Sequence, residues 1–330
     1  MITDAGTVDE EALAIGVDLG ATRIKIGVLG AGGRSVLDET VVELTEATKP
    51  VEVGLGNLIR GIRRAHRLAG VPWSRIVGVG VGSPGTVDTR RGLILEPVNF
   101  SDGWFELAIC ERLGAALGVP VLLENDANAF AFGEYSVATP KRGTIVVLTL
   151  GTGLGSGLVR RGRILPVFEA GHIDIRGRDG RACGCGERGC LEAYVSTTAL
   201  KHRAAELIAS EQPTELRAAW PTTKDPVRDV FVLARAGDAA CAELVDSTAR
   251  YLADGCRTIV HMHAPDEIRL SGGMAALGGE PFAARVEELT RARVLRALRE
   301  RTHVRLGALD PNAGWVGAAF LARERWVRRA

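Results

Sequence analysis

Long apolar runs are missing from this 330-residue chain, so nothing in it has the length to span a bilayer, and the opening MITDAGTVDEEALAIG is acidic where a secretory leader would be basic. Both features point to a cytoplasmic protein with no membrane partner. An excess of one charge is missing as well: 41 Lys and Arg face 40 Asp and Glu, for a formal net charge of +1. A surface so balanced sets up no field to attract a nucleic-acid backbone, so no nucleic-acid partner is expected. With 17 residues ahead of Asp18, where the first glycine-bearing loop opens, no DNA-binding domain is expected before it. A disulfide framework is also lacking. Cys110, Cys241 and Cys256 stand singly in apolar or helical segments, as buried thiols do in a reducing compartment.

The other three cysteines behave differently. Cys183, Cys185 and Cys190 crowd into eight residues of EAGHIDIRGRDGRACGCGERGCLE, and His172 precedes the first of them by eleven positions. Three thiolates and an imidazole are the ligand set of a closed tetrahedral zinc site, which has no open position for a reacting water. Such a zinc would be structural. Core cysteines or a single disulfide are the plain alternative, but glycines flank each thiol and leave little to bury, and a Cys183–Cys185 bridge would close a strained loop. Glu169 and Glu192 bracket the cluster, where they can accept hydrogen bonds from a small polar ligand.

The length suits two lobes, and two lobes usually enclose a cleft. Residues 1–12 read as loosely attached. Leu13–Val17 is a β-prone run, after which DLGATRIKIGVL turns and returns as a second strand; Asp18, Gly20, Thr22 and Lys25 give that turn a carboxylate, a bare backbone, a hydroxyl and a cation. An unliganded glycine hairpin explains the segment equally well. Strands are expected over 36–44, 76–81 and 119–123, and helices over 53–69 and 105–117. Ser83 and Gly85 lie in the GSPG turn that closes the strand 76–81, Asn99 in the loop PVNFSDGW, and Asn125 and Asp126 at a strand end, where an Asn-Asp pair also serves as a plain helix cap.

LTLGTGLGSGLV at 148–159 echoes the first loop and makes a faint internal repeat, with Gly151, Thr152, Gly153 and Gly155 at its turn. Helices are expected over 197–210, 230–236 and 241–263, a strand over 267–270 entering the turn with Gly272 and Gly273, a helix over 281–301, a strand over 304–309 and a closing helix over 314–329. The tryptophans read as packing, with Trp104 an exception because it stands beside the loop of Asn99.

The pattern E-x-G-H followed by C-x-C-G-x-x-G-C-x-E resembles, at every fixed position, the signature of the ROK family (repressors, open reading frames and kinases), whose enzyme members phosphorylate sugars. The resemblance extends from about residue 13 through the first loop, the GSPG turn, the END segment, the second loop, the SGG turn and the terminal PNAGWVGAA. It implies an α/β, two-lobed actin-like ATPase fold of the duplicated ribonuclease H-like kind, with a ligand cleft between lobes and a structural zinc loop. Residues 1–124 would form a small lobe on which a closing helix at 314–330 packs, and 125–313 a large lobe carrying the zinc loop 169–192.

It also implies roles. Asp126 would be the general base that takes a proton from a substrate hydroxyl as it attacks the γ-phosphorus of ATP, a task that asks only for reach and an unprotonated state at neutral pH. Asp18 would hold Mg²⁺, while Gly20, Ala21, Thr22, Lys25, Gly151, Thr152, Gly153, Gly155, Gly272 and Gly273 would hold the nucleotide. Ser83, Gly85, Asn99, Asn125, Asp126, Glu169, His172 and Glu192 would meet the sugar, His172 sharing its ring between zinc and a hydroxyl. Ala21 stands where the family usually has a second glycine, which restricts that turn.

Glucose, phosphorylated at its 6-hydroxyl, is the leading acceptor. Amino or N-acetyl hexoses, fructose, allose and a hydroxymethyl cyclitol are the alternatives, and a sugar-sensing regulator or binding protein is the reading without catalysis. A homodimer or homotetramer is expected from relatives.

Overall fold

The computed structural model describes residues 12–97, 99–138, 143–310 and 313–327. Parts of three expectations, the loose N-terminus, Val98 of the loop 97–104 and the Pro-Asn that opens the terminal motif, lie outside these residues. The chain separates into two units, Met1–Lys141 with Asn312–Ala330, and Arg142–Pro311. The junction at 124/125, where a lobe boundary is expected, lies inside the first unit.

In the first unit β1 (Leu13–Leu19), β2 (Arg23–Leu29) and β3 (Val41–Leu44) lead into helix α1 (Val51–Ala69). Then come β4 (Ile76–Ser83), the hairpin β5 (Thr86–Asp88) and β6 (Leu93–Glu96), α2 (Ile109–Leu117), β7 (Val121–Asn125) and α3 (Asp126–Val137). The second unit has β8 (Thr144–Leu150), β9 (Leu154–Arg160), β10 (Arg163–Ile164), α4 (Glu192–Val195), α5 (Thr197–Ala209) and α6 (Leu216–Ala219). It continues through α7 (Pro226–Arg235), α8 (Ala239–His263), β11 (Glu267–Ser271), α9 (Gly273–Arg291), α10 (Arg296–Arg299) and β12 (Val304–Leu306). The last helix, α11 (Gly314–Val327), belongs to the first unit.

One sheet runs β3-β2-β1-β4-β7 and the other β10-β9-β8-β11-β12. In both, the first pairings are antiparallel and those that follow the central strand are parallel. The same wiring twice over is the duplicated plan of the actin-like ATPases, and it gives the faint glycine-loop repeat a structural meaning: each loop joins the first two strands of its sheet. Each unit has its own apolar core.

Strands β1 and β4 are buried along nearly their whole length, as parallel-paired strands covered on both faces are. The cover on one face is α11, which also lies along α3. It comes very close: a methyl at Gly16 would strike Trp315 O, one at Gly80 would strike Ala318 O, and one at Gly317 would strike Ala129 O. Glycine at these places is a condition of the packing.

The structure revises several expected elements. The strand expected over 36–44 is confined to β3. The helix expected from 105 begins at Ile109, because Asp102–Trp104 form a 3₁₀ turn and Leu107 pairs instead with Ile94. Most altered is the helix expected over 281–301, which starts eight residues earlier, directly at Gly273 of the SGG turn, and ends at Arg291. Gly279 breaks its geometry (φ 67°, ψ −168°), in the turn ahead of Pro281, whose ring nitrogen has no hydrogen to give.

Candidate active site

The first unit gathers its polar groups at the carboxyl end of the parallel strands. Asp18 is the penultimate residue of β1, paired across the hairpin with Lys25, and the two side chains approach to 3.7 Å. Burial raises the Asp18 pKa, and the Lys25 ammonium opposes the shift. The turn between the strands closes with Gly20 N–H donating to Arg23 O at 3.0 Å. Ala21 is not among the residues with positive φ, so the turn takes its methyl without strain. Gly314, the first residue of α11, lies against Asp18: a methyl there would stand 2.7 Å from the carboxyl group.

Next to β1, β4 ends at the buried Ser83, opposite Asn125 on β7. The chain must change from strand to helix at that point, and Asn125 makes the change. Its Oδ1 accepts from Asn128 N–H at 3.1 Å as the cap of α3, and its Nδ2 donates to Gly85 O at 3.1 Å. Gly85 has φ 79°, and a side chain there would run into Glu96 O. One amide thus ties the GSPG turn to the start of α3 and keeps an N–H and a lone pair for a ligand. Asp126 follows as the first residue of α3, its Oδ1 accepting from Ala127 N–H at 2.7 Å.

Glu124, to which the sequence assigns no role, backs this corner: its Oε1 accepts from Asn125 N–H at 2.9 Å and Asn128 Nδ2 at 3.1 Å. Burial raises its pKa, against the pull of those two donors. Asn99 has φ 66°, a left-handed conformation that asparagine tolerates better than most residues. Trp104 is fully buried, edge-on to Phe100 with ring centroids 5.0 Å apart, so it is a packing residue after all.

In the second unit, the loop 151–153 closes with Gly151 N–H donating to Gly153 O at 3.0 Å, and Thr149 and Gly155 pair across the strands it joins. Thr197 N–H donates to Gly151 O at 2.8 Å and Thr198 Oγ1 to Thr152 O at 2.8 Å, fixing the loop to the start of α5. Ser271, at the end of β11, pairs with Thr149, and Gly272 (φ 88°) lies so close to β8 that a methyl on it would sit 2.6 Å from Leu150 O. The two glycine turns are therefore neighbours at one end of the sheet. At Gly151 and Gly273 a methyl would meet nothing within 4 Å, so the backbone there is open to a ligand.

The cysteine segment folds as a small knot beside this loop. Cys183 N–H donates to Glu187 O at 2.8 Å, Leu191 N–H to Ile173 O at 2.8 Å, and Leu191 is buried against Gly255 of α8. Ligand atoms of His172, Cys183, Cys185 and Cys190 all lie within 4.8 Å of one another. Cys183 Sγ is 3.8 Å from His172 Nδ1, and Cys185 Sγ is 3.7 Å from Cys190 Sγ. A tetrahedron with metal–sulfur bonds of about 2.3 Å has edges of about 3.8 Å, so the set fits one zinc ion. Without a cation two of the thiols resist ionisation: burial raises Cys183, and burial, then Cys185 and Cys183, push Cys190 up to about 12, while a hydrogen bond from the Glu187 backbone lowers Cys185. A dication at the centre reverses that preference.

Glu192 joins the knot to the loop. Its Oε2 accepts from Leu154 N–H at 2.8 Å, and its Oε1 is 3.7 Å from Cys183 Sγ. Glu169 is exposed just before the 3₁₀ turn that carries His172. Arg203, which no motif marks, holds the backbone behind Glu192: its buried guanidinium donates to Tyr194 O at 3.2 Å and Thr248 Oγ1 at 2.9 Å.

Residues 14–325 match the sequence profile of the ROK family. The chain belongs to the ROK family. Among its members, the glucokinase of Streptomyces coelicolor is 32% identical over 322 residues, 94% of this chain and 98% of its own length. The crystal structure of the ROK hexokinase from Thermus thermophilus superposes with a TM-score of 0.77 at 34% identity, over 96% of this chain and 100% of that one. A ROK family glucokinase from Streptomyces griseus, in complex with glucose and AMPPNP, also gives a TM-score of 0.77, at 32% identity over 95% of this chain and 100% of its own. No helix among the described residues is long and apolar enough to cross a membrane.

Proposed function

We propose that this ROK family member is an ATP-dependent hexokinase of the glucokinase type, transferring the γ-phosphoryl group to the 6-hydroxyl of glucose. The observation that carries the reading is the corner at the end of β7, where Asp126 begins α3 beside the sheet whose β1 and β2 bring Asp18 and Lys25 together. The relatives named above, glucokinases and a hexokinase, agree with that chemistry.

Asp126 would accept the proton of the sugar hydroxyl as its oxygen attacks phosphorus. Phosphoryl transfer otherwise needs positioning and neutralisation of charge. Asp18, a half-buried carboxylate with a cation beside it, suits a magnesium ion held through water, and that ion supplies charge neutralisation to the phosphates. Lys25, Thr22 and the backbone of Gly20 and Ala21 would take phosphate oxygens in the first unit. In the second unit Gly151, Thr152, Gly153 and Gly155 would do so, with Gly272 and Gly273 beneath the nucleoside.

For the hexose, the first unit offers Ser83, Gly85, Asn99, Asn125 and Asp126. The second offers Glu169, Glu192 and the second ring nitrogen of His172, whose Nδ1 faces the thiols. The zinc held by His172, Cys183, Cys185 and Cys190 would be structural, fixing the ring and the loop rather than reacting. A cytoplasmic homodimer or homotetramer belongs to the same proposal and is checked by light scattering.

Steady-state kinetics with ATP and a panel of glucose, N-acetylglucosamine, glucosamine, fructose, allose and a hydroxymethyl cyclitol test the function. Glucose is expected to give the highest kcat/KM. A different sugar in first place would reassign the acceptor, and no ADP from any of them would remove the kinase.

A further inference from the structure

The connection between β3 and α1 touches both ligand loops of the first unit. Thr45, fully buried, donates from Oγ1 to Gly20 O at 2.5 Å and from its N–H to Thr22 O at 3.1 Å. Two residues later the same connection turns to the loop of Asn99: Ser101 N–H donates to Ala47 O at 2.9 Å, and Ser101 Oγ to Lys49 O at 3.0 Å. Trp104, at the end of that loop, fills the space over Gly54 in the first turn of α1, where a side chain would collide with its ring. Every contact of this set lies within one unit.

The connection is also held in a shape that it would not choose alone. Glu46 has φ 54°, a conformation costing a residue with a side chain about 1 kcal/mol or more. Buried Asn57 stabilises it by donating from Nδ2 to Leu44 O at 2.9 Å and to Glu46 Oε2 at 3.2 Å, and Lys49 pairs with the same carboxylate. A strained turn fixed at both ends transmits a displacement at one end to the other instead of absorbing it.

We infer that the turn Thr45–Lys49 is a positioning element that sets the phosphate loop Gly20–Thr22 and the hexose loop around Asn99 in mutual register, with Thr45 and Ser101 as its working contacts. The inference rests on the hexokinase reading and adds to it a coupling between the two substrates. Thr45 then governs hexose affinity although its hydroxyl is spent on the nucleotide loop, and Ser101 governs ATP affinity although it sits beside Asn99.

The test measures glucose binding by calorimetry without nucleotide, and KM for ATP by steady-state kinetics, in Thr45→Val, Thr45→Ser and Ser101→Ala. Thr45→Val and Ser101→Ala are each expected to weaken both ligands by about fivefold, the size of one net hydrogen bond. Turnover at saturation should change less than about twofold, and Thr45→Ser should restore both affinities. The Thr45→Val/Ser101→Ala double variant should lose less than the product of the single effects, because the two substitutions release one element. If Thr45→Val shifts only ATP and Ser101→Ala only glucose, the coupling is wrong and the kinase reading stands. A wild-type protein that binds neither ligand defeats both. Ser101 is half-exposed, so Ser101→Ala decides the matter even if the buried Thr45→Val does not fold.

Discussion

The neighbours of Asp126 fix the corner on which it stands. Asn125 caps the helix and holds the GSPG turn, and Glu124 ties down Asn125 and Asn128 from behind. Asp126→Asn is expected to lower kcat by about 10²–10⁴-fold, with ATP binding retained in calorimetry. Turnover within a few-fold of wild type would show that the base lies elsewhere. Glu124 makes a separate prediction. Its folded-state pKa lies above the ordinary 4.5, so the native state holds the proton to higher pH than the unfolded chain does. Folding therefore loses stability as pH rises from about that ordinary value through the raised one, and gains it back in acid. Glu124→Gln keeps the accepting oxygen, so it should melt above wild type at pH 7 and level with it at pH 4, and scanning calorimetry reads the difference. An equal offset at both pH values would mean that the charge is not its cause. At this scale the sequence discloses residues whose type is dictated by chemistry, such as the three cysteines with their histidine. It hides Thr45 and Glu124, because a threonine donating to a carbonyl 25 residues away has no local signature.

Among the elements, α11 bears most on the first unit, since it crosses β1 and β4 at glycines and lies along α3. Gly317→Ala drives a methyl into Ala129 O on the helix that begins with Asp126, and should cost about 2–3 kcal/mol of stability in denaturant unfolding. A neutral result would mean that α11 can lift from its seat. The cysteine knot gives the second prediction at this scale. Metal analysis should find about one zinc per chain, and chelation or Cys185→Ser should raise hydrogen exchange across 169–192 and weaken glucose binding. Full glucose affinity without metal would leave the knot no part in recognition. The closing helix was expected from Gly314 and starts there, but the start of another helix was hidden. The helix after the SGG turn starts at Gly273, because a glycine-rich start with a break at Gly279 lacks the apolar periodicity by which helices are read. The seat of α11 was hidden as well: Gly16 and Gly80 look like ordinary strand glycines until a helix backbone is laid on them.

For the molecule as a whole, one wiring diagram is used twice, and each copy places a glycine loop between its first two strands. The echo between the loops at Gly20 and Gly151 is what the duplication left in the sequence; strand order left no such trace, because sheet neighbours such as β8 and β11 are separated by β9, β10, the cysteine knot and helices α4–α8. The last helix belongs to the first unit, a packing that the family resemblance implies and that no local pattern reports. A glucokinase makes one bond, from the γ-phosphorus of ATP to the 6-oxygen of glucose, and ³¹P and ¹³C nuclear magnetic resonance of the purified protein turning over ATP, magnesium and carbon-labelled glucose reads that bond. ADP and glucose 6-phosphate are expected in equal amounts, with phosphorus coupled to carbon 6. Phosphate on the anomeric carbon, or ATP consumed to free phosphate with the sugar unchanged, would contradict the glucokinase reading.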